Sequence, residues 1–132
     1  MTKPDLGPVN VGDRLLVISK TYNGKDKDPI ETVVTKAARV WITLTETYQV
    51  RSMARTWRMR LDTQDTADGT NYRDAFRTPE QHAWHVRISE AWTALTAAGI
   101  NPSYGSPWRT DEDRLLALGA FLRQYDTDHP PR

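Results

Sequence analysis

The sequence of 132 residues contains no cysteine, and this absence excludes several classes of protein. Disulfide frameworks, cysteine-based zinc sites, iron–sulfur clusters and thiol catalysis all require that residue. No apolar run in the sequence approaches the length of about 20 residues that spans a bilayer. The first residues, Met1–Asp5, also lack the apolar core of a signal peptide. We therefore expect a soluble cytoplasmic protein with no membrane partner.

The net charge is only +1, but the charged residues are unevenly distributed along the chain. Residues 1–61 carry 11 Lys and Arg against six Asp and Glu, whereas residues 62–132 carry seven against 11. Such an asymmetry is typical of a nucleic-acid-binding surface. The same asymmetry is equally typical of a chain whose two oppositely charged halves attract each other.

Residues 1–62 have the pattern of short β-strands joined by turns, with a strong turn signal at Asn23-Gly24 and a tight turn or bulge at Lys36–Ala38. The predicted strands are Arg14–Ser19, Ile30–Thr35, Arg39–Thr47 and Thr56–Asp62, with Tyr48–Val50 as a candidate fifth. Apolar residues alternate with polar ones in the last two of the four: Val40, Ile42, Leu44, Trp57, Met59 and Leu61 against Arg39, Trp41, Thr43, Thr45, Thr56, Arg58 and Arg60. This pattern predicts a small antiparallel barrel or a curled sheet.

Residues 63–77 read as a polar loop, and residues 78–132 as two helices. Thr78–Gln81 has the sequence of a capping box, and Gly99 is the predicted end of the first helix. Thr110 is the predicted start of the second helix. The two apolar stripes consist of Trp84, Ile88, Ala91, Trp92 and Leu95, and of Leu115, Leu118, Leu122 and Tyr125. We predict that these helices pack on the sheet as one compact domain; alternatively, they pair with each other and protrude.

The densest basic cluster lies around the last predicted strand, and Arg39 and Trp41 share the outward face of its neighbour. If the two strands pair, arginines that bind phosphates would surround an aromatic ring that stacks on a base. The predicted nucleic-acid-binding residues are Arg39, Trp41, Arg51, Arg55, Arg58 and Arg60. Two simpler interpretations stay open: a solvated face with Arg–Thr pairs, or a Trp41 ring covered by the acidic C-terminal helices.

Motifs for catalysis or metal binding are incomplete. His82-x-x-His85 lacks a specified third ligand. The acidic loop fails the EF-hand pattern, although it offers the oxygen ligands Asp62, Asp65, Asp68, Asn71 and Asp74. No nucleophile motif, phosphate loop or carboxylate couple is singled out, so we predict no enzyme, no metal and no cofactor. Tyr104 and Trp108, in a linker rich in Pro, Ser and Gly, are candidate anchors for a protein partner; alternatively, Trp108 folds back onto the core.

The runs Val34-Thr-Lys36, Arg39-Val-Trp41-Ile-Thr-Leu44, Trp57-Arg58-x-Arg60-Leu-Asp62 and Arg77-Thr-Pro-Glu-Gln81 resemble small uncharacterised accessory proteins of actinobacteriophages. The opening Val11–Val17 is similar to the first strand of SH3-like, or KOW-like, barrels. The resemblance implies an α+β fold, with an N-terminal SH3-like antiparallel barrel or curled sheet followed by two C-terminal helices. It also implies a protein that acts in the cytoplasm of the bacterial host.

These observations lead to two hypotheses about function. In the first, the protein binds DNA or RNA through the basic Arg/Trp face, with weak sequence preference and strong salt dependence. In the second, it binds and modulates a host protein, as an inhibitor or an anti-defence factor, through the helical hairpin and its linker. The sequence predicts no particular oligomeric state and leaves a role in the virion open.

Overall fold

The computed structural model describes residues 3–20, 26–47, 54–66 and 74–130. The chain divides into two compact units: residues 5–82, and residues 83–132 together with residues 1–4. The strands are β1 (Arg14–Ile18), β2 (Ile30–Ala37), β3 (Trp41–Glu46), β4 (Thr56–Arg60) and β5 (Ala75–Arg77), and the helices are α1 (Pro79–Ala97), α2 (Pro107–Thr110) and α3 (Glu112–Asp128). This order confirms the predicted α+β class. The packing of the helices on the sheet stays a prediction.

The strands form one curled sheet in the order β4-β3-β2-β1-β5, and every described pair is antiparallel. The curled antiparallel sheet predicted from the strand pattern is thus confirmed. One strand was missed: β5 lies at the end of residues 63–77, which the sequence suggested were loop. Its three residues are too few to show an alternating pattern, but Phe76 is buried opposite Val17. The turn at Asn23-Gly24 and the candidate strand at Tyr48–Val50 lie outside the described residues.

One face of the sheet carries the core of this unit. Its buried members are Leu15, Val17, Val34, Ile42, Leu44, Met59 and Phe76, with Leu6, Val9, Ile30, Trp57 and Leu61 packed against them. The alternation predicted for β3 and β4 is therefore confirmed for Ile42, Leu44 and Met59. Val40 differs from the prediction, because it precedes β3 and its side chain is exposed.

A β-bulge and a tight turn join β2 to β3. The register shifts between Val34 and Lys36, so the bulge lies just before the predicted Lys36–Ala38, and β2 continues to Ala37. The backbone N–H of Ala38 then donates to the carbonyl oxygen of Trp41 at 2.9 Å, which encloses Arg39 and Val40 in the turn. Arg39 is consequently a turn residue and not the first residue of the strand.

Both predicted ends of α1 are present. The N–H of Gln81 donates to Thr78 Oγ1 at 3.0 Å, and the N–H of Thr78 donates to Gln81 Oε1 at 3.0 Å, which is the reciprocal pattern of a capping box. At the other end Gly99 has a φ of 73°, and the N–H of Ile100 donates to the carbonyl oxygen of Leu95 at 2.9 Å. These contacts form a Schellman motif, which confirms the predicted end of the helix.

The helical unit has its own core, formed by Trp84, Ala91, Leu95, Leu115 and Leu116, with Ile88, Trp92, Leu118 and Leu122 against it. Tyr125, predicted for this stripe, is instead exposed and stacks on His129. Thr110 does not begin the second long helix, since it ends the short helix α2. Asp111 is the N-cap of α3, and its carboxylate accepts from the N–H groups of Asp113 and Arg114.

Candidate nucleic-acid interface

The register of β3 and β4 determines which residues are neighbours on the outward face of the sheet. Trp41 lies opposite Arg60, and Thr43 lies opposite Arg58. Because successive side chains of a strand point to opposite faces, these four residues share the face that is turned away from the core. The pairing that the sequence predicted for Trp41, Arg58 and Arg60 is therefore present.

Two guanidinium groups lie over the indole ring of Trp41. The Cζ atom of Arg58 is 4.1 Å from the ring centroid, and that of Arg60 is 5.5 Å away. Cations at such distances are attracted to the negative face of the ring. The ring is half-buried, so Trp41 is not the fully exposed aromatic that the sequence suggested. We call Trp41, Arg58 and Arg60 the Arg–Trp cluster.

The two arginines of the Arg–Trp cluster differ in their ionic partners. Arg60 donates from Nε to Asp62 Oδ1 at 2.9 Å and from Nη2 to Asp62 Oδ2 at 2.8 Å. These hydrogen bonds lower the pKa of Asp62 to about 2, and they raise the pKa of Arg60. Arg58 is exposed, and it forms no ion pair with another residue of the described chain. Its charge is thus available to an anion.

The remaining three predicted binding residues lie elsewhere. Arg39 is exposed in the turn before β3 and has no ion pair among the described residues. Arg55 lies just before β4 and is exposed; its Nη2 is 2.6 Å from Glu46 Oε2 and its Cζ is 5.4 Å from the Trp57 ring centroid. It does not belong with Arg58, because its guanidinium lies against Glu46 and Trp57 and not against Trp41. Arg51 lies outside the described residues.

The helical unit carries the predicted partner anchors. Tyr104 is 89% exposed and Trp108 is 44% exposed, so neither side chain is folded into a core. The guanidinium of Arg109 lies 4.2 Å from the Tyr104 ring and 5.4 Å from the Trp92 ring. A cleft of about 320 Å³ adjoins Trp108 and is lined by Ile100, Asn101, Pro102, Ser106 and Leu118.

His82 and His85 both lie on α1, and they do not form part of a recognisable metal centre. His82 is half-buried, and its Nδ1 has no hydrogen-bond partner in the described structure. Burial lowers the pKa of His82, and the positive charge of Arg77 lowers it further. Across residues 3–20, 26–47, 54–66 and 74–130, no group of three or more metal-ligating side chains occurs. Asp68 and Asn71 of the acidic loop lie outside these ranges.

The family comparison matches almost the whole chain. The model of the Phage ProQ C-terminal-like domain aligns with residues 1–126. The chain belongs to this family. The expected relationship to phage proteins is thereby confirmed, whereas the SH3-like barrel and the actinobacterial host stay predictions.

Two further comparisons, with curated proteins and with solved structures, add no relatives of this member of the phage ProQ C-terminal-like family. Neither the search of curated proteins nor the search of solved structures gives a match. Within the part of the chain that the structure describes, no helix has both the length and the apolar character needed to cross a bilayer.

Sequence reasoning missed two neighbours of the Arg–Trp cluster. Asp62 follows Arg60 by two positions, in the turn after β4, and this short separation along the chain lets the two side chains meet. That spacing could have indicated the ion pair, but Asp62 was considered only as a member of the acidic loop. Lys36 lies opposite Thr43 because the bulge in β2 shifts the register between Val34 and Lys36, and the sequence predicted a tight turn or bulge nearby without indicating which residues it would pair.

Proposed function

We propose that this phage protein is a non-enzymatic accessory protein that binds nucleic acid through the Arg–Trp cluster, in the cytoplasm of an actinobacterial host. The observation that carries the proposal is the guanidinium of Arg58, which lies 4.1 Å from the ring centroid of Trp41 on the outward face of the sheet and forms no ion pair with any residue that the structure describes. Membership of a ProQ C-terminal-like phage family supports a nucleic-acid-binding role.

The mechanism combines charge with stacking. Arg58 neutralises a backbone phosphate, and the exposed Arg39 in the adjoining turn provides a second cation. A base stacks on the flat surface made by the Arg58 guanidinium and the Trp41 indole. Neither contact distinguishes one base from another, so binding has weak sequence preference.

The experiment compares two single substitutions with the wild type, using labelled single-stranded DNA and RNA oligonucleotides over a range of salt concentrations. Arg58→Ala removes the phosphate contact, so affinity falls about tenfold. The slope of log affinity against log salt concentration becomes shallower by the value of about one phosphate contact. Trp41→Leu removes the stacking surface and lowers affinity with little change in the salt slope. The double variant Arg58→Ala/Arg60→Ala should weaken binding across all sequences and flatten the salt slope.

Arg123→Ala is the matched control, because it removes one positive charge from the helical unit, where Arg123 pairs with Glu90. Its affinity should stay within about twofold of the wild type, as expected for a charge that does not contact the ligand. Equal losses of affinity in Arg58→Ala and Arg123→Ala would mean that affinity depends only on net charge, which would contradict the proposed interface.

A second candidate function is the binding of a host protein through the helical unit. The exposed rings of Tyr104 and Trp108, together with the cleft beside Trp108, favour this alternative. A pull-down from host lysate at physiological salt, with and without nuclease, separates the two functions. Capture of one host protein that survives nuclease and is lost in Trp108→Ala, with an unchanged melting temperature, would favour the host-protein function.

A further inference from the structure

The contact between Arg60 and Asp62 has the geometry in which arginine binds a phosphate. Two parallel hydrogen bonds, from Nε and Nη2 of Arg60, reach the two carboxylate oxygens of Asp62 at 2.9 and 2.8 Å. Arginine uses this same two-pronged arrangement for carboxylates and for phosphates. The carboxylate therefore lies where a nucleic-acid phosphate would lie if Arg60 bound one.

Asp62 is also held in place by its own turn. The N–H of Thr63 donates to Asp62 Oδ1 at 2.9 Å, so the backbone orients the carboxylate toward Arg60. The Asp62 side chain remains 59% exposed, and that of Arg60 is 36% exposed. An ion pair at this exposure contributes little to folding stability, because water screens it. Its main consequence is that it neutralises one of the two arginines of the Arg–Trp cluster.

We infer that Asp62 is a specificity-determining residue, which occupies the phosphate-binding side of Arg60 and so restricts the interface to the contacts of Arg58 and Trp41. This inference rests on the proposed function. An anion that lacks a base cannot use the stacking surface and depends on the arginines alone. Asp62 therefore weakens binding to simple polyanions more than binding to single strands whose bases stack.

Asp62→Asn tests the inference, because asparagine retains the oxygen that accepts from Thr63 but loses the negative charge. The probes are a labelled single-stranded oligonucleotide and inorganic tripolyphosphate as its competitor. Affinity for the oligonucleotide should rise about fivefold, and the salt slope should steepen by about 0.7, the value for one additional phosphate contact on a single strand. Affinity for tripolyphosphate should rise by a larger factor than affinity for the oligonucleotide.

Asp28→Asn is the matched control. Asp28 is exposed in the same unit, makes no ion pair with another described residue and contributes the same charge. The control should change neither probe's affinity by more than about twofold. An equal gain in Asp28→Asn and Asp62→Asn would show a net-charge effect and overturn the inference.

The background variant Arg60→Ala completes the design. The gain in affinity from Asp62→Asn should disappear in the Arg60→Ala background, because the guanidinium that Asp62 occupies is absent there. A gain in affinity that persists would overturn the role of Asp62. Failure of the proposed function has a different signature. If Arg58→Ala and Trp41→Leu bind the oligonucleotide like the wild type, the interface itself is wrong, whatever Asp62→Asn does to tripolyphosphate. Circular dichroism confirms the fold of each variant.

Discussion

Two arginine–tryptophan contacts at β4 have similar geometry, but their arginines differ in their ionic partners. On the outward face the guanidinium of Arg58 lies over Trp41, and Arg58 has no ion pair in the described chain. Arg55, just before β4, lies over Trp57, whose ring packs against the sheet core, but Arg55 binds Glu46 and the indole N–H of Trp57 donates to Asp74 at 2.8 Å. The two contacts therefore differ in whether the arginine also has an ion pair among the described residues, and the proposed interface rests on that difference.

The comparison predicts that the core side controls stability and the outward face controls binding. Substitutions on the core side should lower the free energy of unfolding, and binding should fall only when the sheet itself is lost. Substitutions on the outward face should lower affinity at nearly constant stability. The predictions below test that division, from the largest expected change in stability to the smallest.

Leu44→Ala should have the largest effect on stability. Leu44 is fully buried in the sheet core, opposite Trp57. The truncation should lower the free energy of unfolding by about 2–5 kcal/mol, through lost burial and the cavity that remains. Urea unfolding followed by circular dichroism measures it. A loss below about 1 kcal/mol would mean that the face of the sheet carrying Leu44 is not the core of this unit.

Asp74→Ala should destabilise the protein by about 1–3 kcal/mol, because it removes an acceptor shared by β4 and the residue that follows β1. The Asp74 carboxylate accepts from Trp57 Nε1 at 2.8 Å and from the hydroxyl of Ser19 at 2.8 Å. Both donors are left without this partner in the variant. Asp74→Asn, which keeps one acceptor oxygen, should recover part of the loss in the same urea experiment. Equal stability of Asp74→Ala and wild type would contradict a structural role.

The alternating faces of the sheet could be predicted from the sequence, and the ionic partners could not. A period of two residues places Met59 inside and Arg58 and Arg60 outside, and it also places Arg55 with Trp57 once the strand is extended backward. The ion pair of Arg60 depends on the turn that orients Asp62. The turn position of Arg39 depends on where the bulge and the turn lie; the sequence predicted one or the other at Lys36–Ala38, but the turn encloses Arg39 and Val40. The sequence therefore could not predict which arginine forms no ion pair among the described residues.

Arg58→Ala should leave stability almost unchanged while it lowers nucleic-acid affinity. The side chain is exposed and forms no ion pair among the described residues, so the free energy of unfolding should change by no more than about 0.5 kcal/mol. Arg58→Lys offers a further distinction, since it keeps the charge but loses the planar group that stacks. Its salt slope should match the wild type at reduced affinity. A large stability loss in Arg58→Ala would mean that the cluster is structural.

The smallest effect should appear only in acid. Asp62 has a folded-state pKa of about 2 against an ordinary value of 3.8, because Arg60 donates two hydrogen bonds to its carboxylate. A depressed carboxyl pKa contributes stability that is present above the unfolded value and is lost as the pH falls through the folded value. The contribution of Asp62 should therefore decline between about pH 4 and pH 2, while Asp62→Asn has no such contribution to lose. Urea midpoints of the two proteins across this range measure the difference, with Asp28→Asn as the charge control. Identical acid dependence in Asp62→Asn and wild type would show that the ion pair with Arg60 does not persist in solution, and Arg60 would then join Arg58 as a second free cation beside Trp41.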